Sequence, residues 1–169
     1  MLHLHVDPQF ADLIDEERLH RAVETALRAE QAPPHAALSL VIVGDEEMSR
    51  LHLHFRGEEG PTDVLTFPAD EMPAEADEEI YLGDIIVCWP QAERQAAEYG
   101  GHQPHEELEL LAVHGVLHLL GYDDEEETAR RAMWARQAAI MEQLGLGHIA
   151  PRDGSSTSSS TPSTPPHTR

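Results

Sequence analysis

Residues 104–120 read PHEELELLAVHGVLHLL, and a helix drawn through them is apolar on nearly every side, with Leu108, Leu111, Val113, Val116, Leu117, Leu119 and Leu120 spread around it. A helix without a wide polar face belongs inside a protein, so this segment reads as the buried element around which the rest is arranged. Glu106, Glu107 and Glu109 lie near its start, where negative charge complements the helix dipole. Gly121 can end it by adopting the left-handed conformation.

The flanking sequence reads as alternating strands and helices. Leu2, Leu4 and Val6 alternate with His3 and His5, the period of a half-buried edge strand with its histidines outward. Over residues 15–30, Leu19, Ala22, Val23, Ala26 and Leu27 share one helical face. Residues 38–43 read as a buried strand, and 45–55 as a short helix with Met48, Leu51 and Phe55 inward. Two further strands are expected over 63–67 and 81–89. A helix over 90–99 has Pro90 suitably in its first turn. A last helix over 125–144 carries Met133, Trp134 and Met141 as core residues, its acidic approach at 123–127 solvated. The pattern implies an α+β layering around one small four-stranded sheet.

A chain of 169 residues argues for one domain, placed at residues 1–147. Residues 148–169 are expected to form a disordered Ser/Thr/Pro tail, and the acidic stretch 69–79 a solvated loop. The 11 basic residues, all Arg, face 32 Asp and Glu, for a formal charge of −21. That balance argues against a broad basic surface for duplex DNA, while leaving room for a local basic pocket. Cys88 is the single cysteine, so no internal disulfide is possible, and its apolar strand makes it a buried thiol. No apolar run approaches the roughly 20 residues of a membrane span, and MLHLHVDP lacks the pattern of a signal peptide. A soluble, cytoplasmic protein is expected.

His114 and His118 lie four residues apart on the apolar helix, so their rings share a face and can aim at one point. Neutral imidazoles in that arrangement suit zinc, at Zn–N distances of about 2.0–2.1 Å. Gly121 breaks the helix soon afterwards, and a chain folding back there brings the Asp124 carboxylate in from another direction. Three protein ligands with an open fourth position make the catalytic form of a zinc site. With 12 His in 169 residues, about one such pair arises by chance, so the spacing needs its context. The plain alternative is two separately hydrogen-bonded core histidines. What favours a site is the apolar setting, in which unpartnered imidazoles are costly.

The string HGVLHLLGYDD at 114–124 resembles the signature of the YbeY endoribonucleases of ribosomal RNA maturation and ribosome quality control, His-Gly-x-Leu-His-Leu-x-Gly-Tyr-Asp-His. The resemblance continues in FRGEEGPTDVLTFP at 55–68 and LGDIIVC at 82–88, and spans roughly residues 38–141 in order. It implies a zincin-like α+β fold with a mixed four-stranded sheet, one zinc ion, single-stranded RNA as substrate, and ribosomal proteins or assembly factors as partners. Where the family usually has a third histidine, this chain has Asp124. Carboxylates are legitimate zinc ligands, so a site of two nitrogens and one carboxylate oxygen is expected. The anionic ligand makes the metal a weaker Lewis acid than three histidines would. If Asp124 is not a ligand, Asp123, His102 or His105 must complete the site, or metal binding is lost.

The resemblance also places Arg56, of FRG, in the active cavity, where guanidinium suits forked contacts to phosphate. The bland alternative is a surface arginine balancing Glu58 and Glu59. Thr62 and Asp63 match the family's strand entry, with Thr66 replacing a serine, and Asp63 also reads as a turn cap accepting backbone N–H groups. His52 stands where the family commonly has asparagine. In HExxH peptidases the residue after the first histidine is a glutamate general base; here it is Gly115, which favours phosphodiester over peptide hydrolysis.

Arg56 and His114 are therefore the candidate catalytic residues, and His114, His118 and Asp124 the candidate ligands of one Zn²⁺. The expected function is zinc-dependent endoribonuclease action on single-stranded RNA in small-subunit ribosomal RNA maturation, with no DNA or membrane partner. The alternatives are a zincin-type zinc peptidase and a non-catalytic ribosome assembly factor with a structural zinc.

Overall fold

Alternating apolar residues pair the chain's first strand, β1 (Leu2–Val6), with β2 (Ala36–Val43) in parallel, and β2 pairs in parallel with β4 (Ile80–Cys88). The short β3 (Val64–Pro68) runs antiparallel to β4 at the other edge, giving the mixed order β1-β2-β4-β3. The computed structural model describes residues 1–70, 78–99 and 101–149. Most of the expected loop at 69–79 and nearly all of the expected tail lie outside the described residues. The packed chain reaches Ile149, which is buried in the core, two residues past the boundary expected at 147.

Register sorts the sheet into two faces. Leu40 pairs with Ile85 and Ile85 with Thr66, and this face meets α1 (Glu16–Ala29) and α4 (Pro104–Leu119). On the opposite face Val43, Leu65 and Cys88 pack with Met48 of α2 (Asp45–Arg56). His3 and His5 occupy that second face of edge strand β1, as their alternation implies. The buried residues of α1 are Leu19, Ala22, Val23, Ala26 and Leu27, the face read from the sequence. A 3-10 turn over Pro8–Leu13 was not expected, although Asp7 caps it by accepting from the Gln9 N–H at 3.1 Å.

α4 is enclosed by α1, β3, β4, α3 (Trp89–Glu98) and α5 (Glu127–Gln143). Eleven of its 16 residues are buried, and each fully buried Leu or Val there stabilises the fold by roughly 1.5–3 kcal/mol. Gly115 lets α4 approach the sheet: a Cβ at that position would lie 2.6 Å from Cγ2 of Ile85, which is itself fully buried.

One inward assignment is corrected. Met48 is fully buried and Leu51 packs beside it, but Phe55 is 50% exposed. Residue 55 lies in the last turn of α2, beyond the strand pair that buries Met48, and its ring leans edge-on against Phe67 of edge strand β3 at 5.0 Å. His52 is buried instead, its Nδ1 2.8 Å from the Gly60 carbonyl, which ties down the loop after α2. Met133 and Met141 are core residues, while Trp134 is only half-buried.

Two outcomes follow from this packing. Gly115→Ala forces Ile85 aside, an overpacking cost of about 1–3 kcal/mol against at most about 1 kcal/mol of helix propensity regained. Its melting temperature is expected to fall by several degrees in a calorimetric scan, and an unchanged value contradicts the tight contact. Burial pushes the Cys88 thiol up to about 12, from 9.0, while its Sγ–H donates to Asp45 Oδ1 at 3.3 Å. Because the folded pKa is raised, this group's contribution to stability is intact below about pH 9 and is lost as pH rises toward 12. Native protein at pH 8 should resist a thiol reagent that labels the unfolded chain at once.

Candidate metal centre

In the last two turns of α4, from residue 113 to 119, the polar side chains are His114 and His118, which are 13% and 8% exposed. Their Nε2 atoms converge to 3.1 Å, with the rings edge to face. The helix then ends in a turn that re-aims the chain. Gly121, at φ 103°, donates its N–H to the His118 carbonyl, and the Tyr122 N–H donates to the Leu117 carbonyl, each at 3.0 Å. This double closure is the Schellman cap, which needs a left-handed residue such as glycine.

Beyond the cap, Asp124 returns its carboxylate to the histidine pair. Oδ2 lies 3.4 Å from Nε2 of His118 and 3.8 Å from Nε2 of His114. Ligands held about 2.0–2.1 Å from a tetrahedral zinc are separated from each other by about 3.3 Å. The three observed separations bracket that value, and the three donor atoms all lie within 4.8 Å of one another. Two imidazole lone pairs and a carboxylate repel at such distances unless a proton or a cation lies among them. The donor set therefore fits a divalent metal held by three protein groups. Among the described residues this is the one group of three or more such side chains close enough to do so.

Buried partners orient these donors. His114 Nδ1 lies 2.9 Å from Oε1 of Gln137, a buried residue of α5. With Nδ1–H donating to that oxygen, Nε2 keeps its lone pair for the centre. The bend is anchored through Tyr122, whose hydroxyl donates to Glu30 Oε1 at 2.6 Å, and Arg136 of α5 donates from Nε to Glu30 Oε2 at 2.6 Å. The Glu30 carboxylate, together with burial, pushes the Tyr122 phenol above its ordinary pKa. The end of α1 and the middle of α5 thus hold the turn that delivers Asp124.

The other groups considered as ligands are occupied elsewhere. His102 Nε2 lies 2.6 Å from the fully buried carboxylate of Glu107, which also accepts from Gln95. His105 accepts the Asp15 N–H at Nε2 and so donates from Nδ1 to Glu109, which also meets Arg18. Both sit at the opposite end of α4 from His114. The Asp123 carboxylate accepts the Glu125 N–H at 3.0 Å. Asp63 is buried and accepts the Val64 N–H at 2.7 Å, the turn-capping role read for it.

Arg56 is not in the three-residue group. Its Nη2 donates to the Thr66 carbonyl at 3.4 Å, and its guanidinium carbon lies 5.6 Å from the centre of the Phe67 ring. Phe67 packs with Leu51 and Ile86 on the α2 face of the sheet, so the arginine lies at the β3 edge on the face opposite α4. Gln137 was missed by the sequence reasoning. Its signal was a polar side chain on the stripe Met133, Gln137, Ile140 and Met141, all buried in α5.

A zincin-like α+β domain with two helical histidines and a carboxylate past the bend is the class that this fold and donor set define. The sequence model of the family described as Endoribonuclease YbeY matches residues 7–145, and the chain belongs to that family. It is similar to Endoribonuclease YbeY of Thermobifida fusca, 43% identical over 131 residues, covering 75% of this chain and 84% of the relative. It is 41% identical over 152 residues to the same-named protein of Roseiflexus castenholzii, covering 86% and 94%. It also resembles the solution structure of TM1509 from Thermotoga maritima, with a TM-score of 0.60, 28% identity and 100% of both chains covered. The chain is accordingly an endoribonuclease, a hydrolase of phosphodiester bonds.

Removing a direct ligand should weaken a metal centre beyond the roughly 10–100-fold typical of its hydrogen-bonding partners. Asp124→Ala is expected to weaken divalent-metal binding by more than about that factor in a chelator competition, with the fold retained by circular dichroism. Unchanged stoichiometry and affinity would remove Asp124 from the centre.

Proposed function

We propose that this protein is a zinc-dependent endoribonuclease that cuts single-stranded RNA in the cytoplasm, acting in small-subunit ribosomal RNA maturation and ribosome quality control. The observation that carries the reading is the convergence of His114 Nε2, His118 Nε2 and Asp124 Oδ2, with separations of 3.1–3.8 Å. Family membership supports RNA as substrate, and ribosomal proteins or assembly factors are the expected partners.

His114, His118 and Asp124 would hold one zinc ion. When bound, zinc supplies Lewis-acid charge that polarises a phosphoryl oxygen and lowers the pKa of water. The carboxylate of Asp124 tempers that charge. Charge building on the phosphate oxygens needs a further cation, and Arg56, with five N–H donors in a planar fork, is the side chain assigned to it. The guanidinium rests on Phe67 and the Thr66 carbonyl at the β3 edge, and serving the centre requires it to swing from there.

The described ion pairs engage Arg18, Arg50, Arg94, Arg131 and Arg136 with carboxylates. In a chain of net charge −21, attraction for RNA then has to come from a bound metal and from arginines outside these pairs. Gly115 faces Ile85, where a glutamate side chain has no room, which weighs against the peptidase reading. Among the described residues the group has three protein donors rather than four, which weighs against a closed, structural zinc.

The test is cleavage of a single-stranded RNA by zinc-loaded protein. Arg56→Ala is expected to lower kcat by about 10²–10³-fold, the usual loss on removing one transition-state donor. His118→Ala and chelator-treated wild type should be inactive, and duplex RNA should be cut poorly. Equal cleavage by wild type and His118→Ala assigns the activity to a contaminant, and cleavage of a casein substrate with RNA untouched restores the peptidase.

A further inference from the structure

We infer that Gln137 is a positioning residue of the metal centre, fixing the tautomer and the orientation of His114 from α5. The inference rests on the reading of His114, His118 and Asp124 as metal ligands. Gln137 is 4% exposed and places Oε1 2.9 Å from Nδ1 of His114. A histidine that binds metal through Nε2 must carry its proton on Nδ1, and a buried N–H needs an acceptor. The Gln137 oxygen is that acceptor. Held in this way, the imidazole is set with its lone pair toward His118 and Asp124 before any metal arrives.

The placement of Gln137 ties the ligand to the rest of the fold. Its helix neighbour Arg136 holds Glu30, and Glu30 holds Tyr122 in the bend that leads to Asp124. One turn of α5 thereby orients the first ligand and anchors the chain carrying the third. Gln137 is also neutral. With Asp124 as an anionic ligand, a neutral acceptor keeps a second negative charge away from the centre, where it would further weaken the metal as a Lewis acid.

The experiment compares wild type, Gln137→Leu and Gln137→Glu. Glutamate can only accept at this position and leucine can do neither, so the pair separates an acceptor role from simple space filling. In metal-free wild type, ¹⁵N-resolved spectra of the His114 ring should show the proton on Nδ1. Gln137→Glu should keep it there, and Gln137→Leu should lose that preference. Zinc affinity, read by chelator competition, should fall about 10–100-fold in Gln137→Leu and be equal to or tighter than wild type in Gln137→Glu.

Zinc affinity unchanged in Gln137→Leu overturns the inference, as does Gln137→Glu binding as weakly as the leucine variant. If the leucine variant fails to fold, the glutamate variant still decides: loss of the Nδ1 proton or a tenfold weaker affinity refutes the acceptor role. A wild type that binds no zinc refutes the metal centre itself, whereas normal binding with an indifferent residue 137 refutes only this proposal.

Discussion

Enclosure of α4 is the constraint on which the rest of the structure depends. A helix without a wide polar face must be surrounded, and here two strands and three helices do so. Gly115 allows the closest of those approaches, against Ile85. The two imidazoles near its C-terminal end are then the polar side chains on that part of an apolar shaft, and they lie nearly covered. Such a frame is rigid because its packing tolerates little volume change, and rigidity is what a site of converging donors needs.

The N-terminal end of the same helix carries a different polar arrangement. Glu107 and Glu109 are buried, and their charges are met by His102, Gln95, Arg18 and His105. These contacts join α1, the approach to α4 and α3, and replace solvation that burial removes. The result is a helix with structural carboxylates at one end and candidate ligands at the other.

Much of this was legible in the sequence because the decisive patterns are local. The spacing of His114 and His118, the helix stop at Gly121 and the alternation in β1 each follow from periodicity over a few residues. The four-stranded mixed sheet followed from the resemblance and the element order, and the structure carries it. What escaped was tertiary. Phe55 fits the apolar face of α2 by spacing, yet it meets only the edge strand of the sheet, leaning on Phe67 and staying half-exposed. Gln137 looked like one polar residue on a helix of mixed character, and only the packing of α5 against α4 gives it a partner. The occupations of His102 and His105 likewise depend on residues brought in from α1 and within α4.

X-ray absorption at the zinc edge of the loaded protein addresses the account most directly, because it reads the atoms around the metal. The account requires a first shell of nitrogen and oxygen at about 2.0–2.1 Å with the scattering of two imidazole rings and no sulfur. A sulfur neighbour at about 2.3 Å, or fewer than two imidazoles, would contradict it.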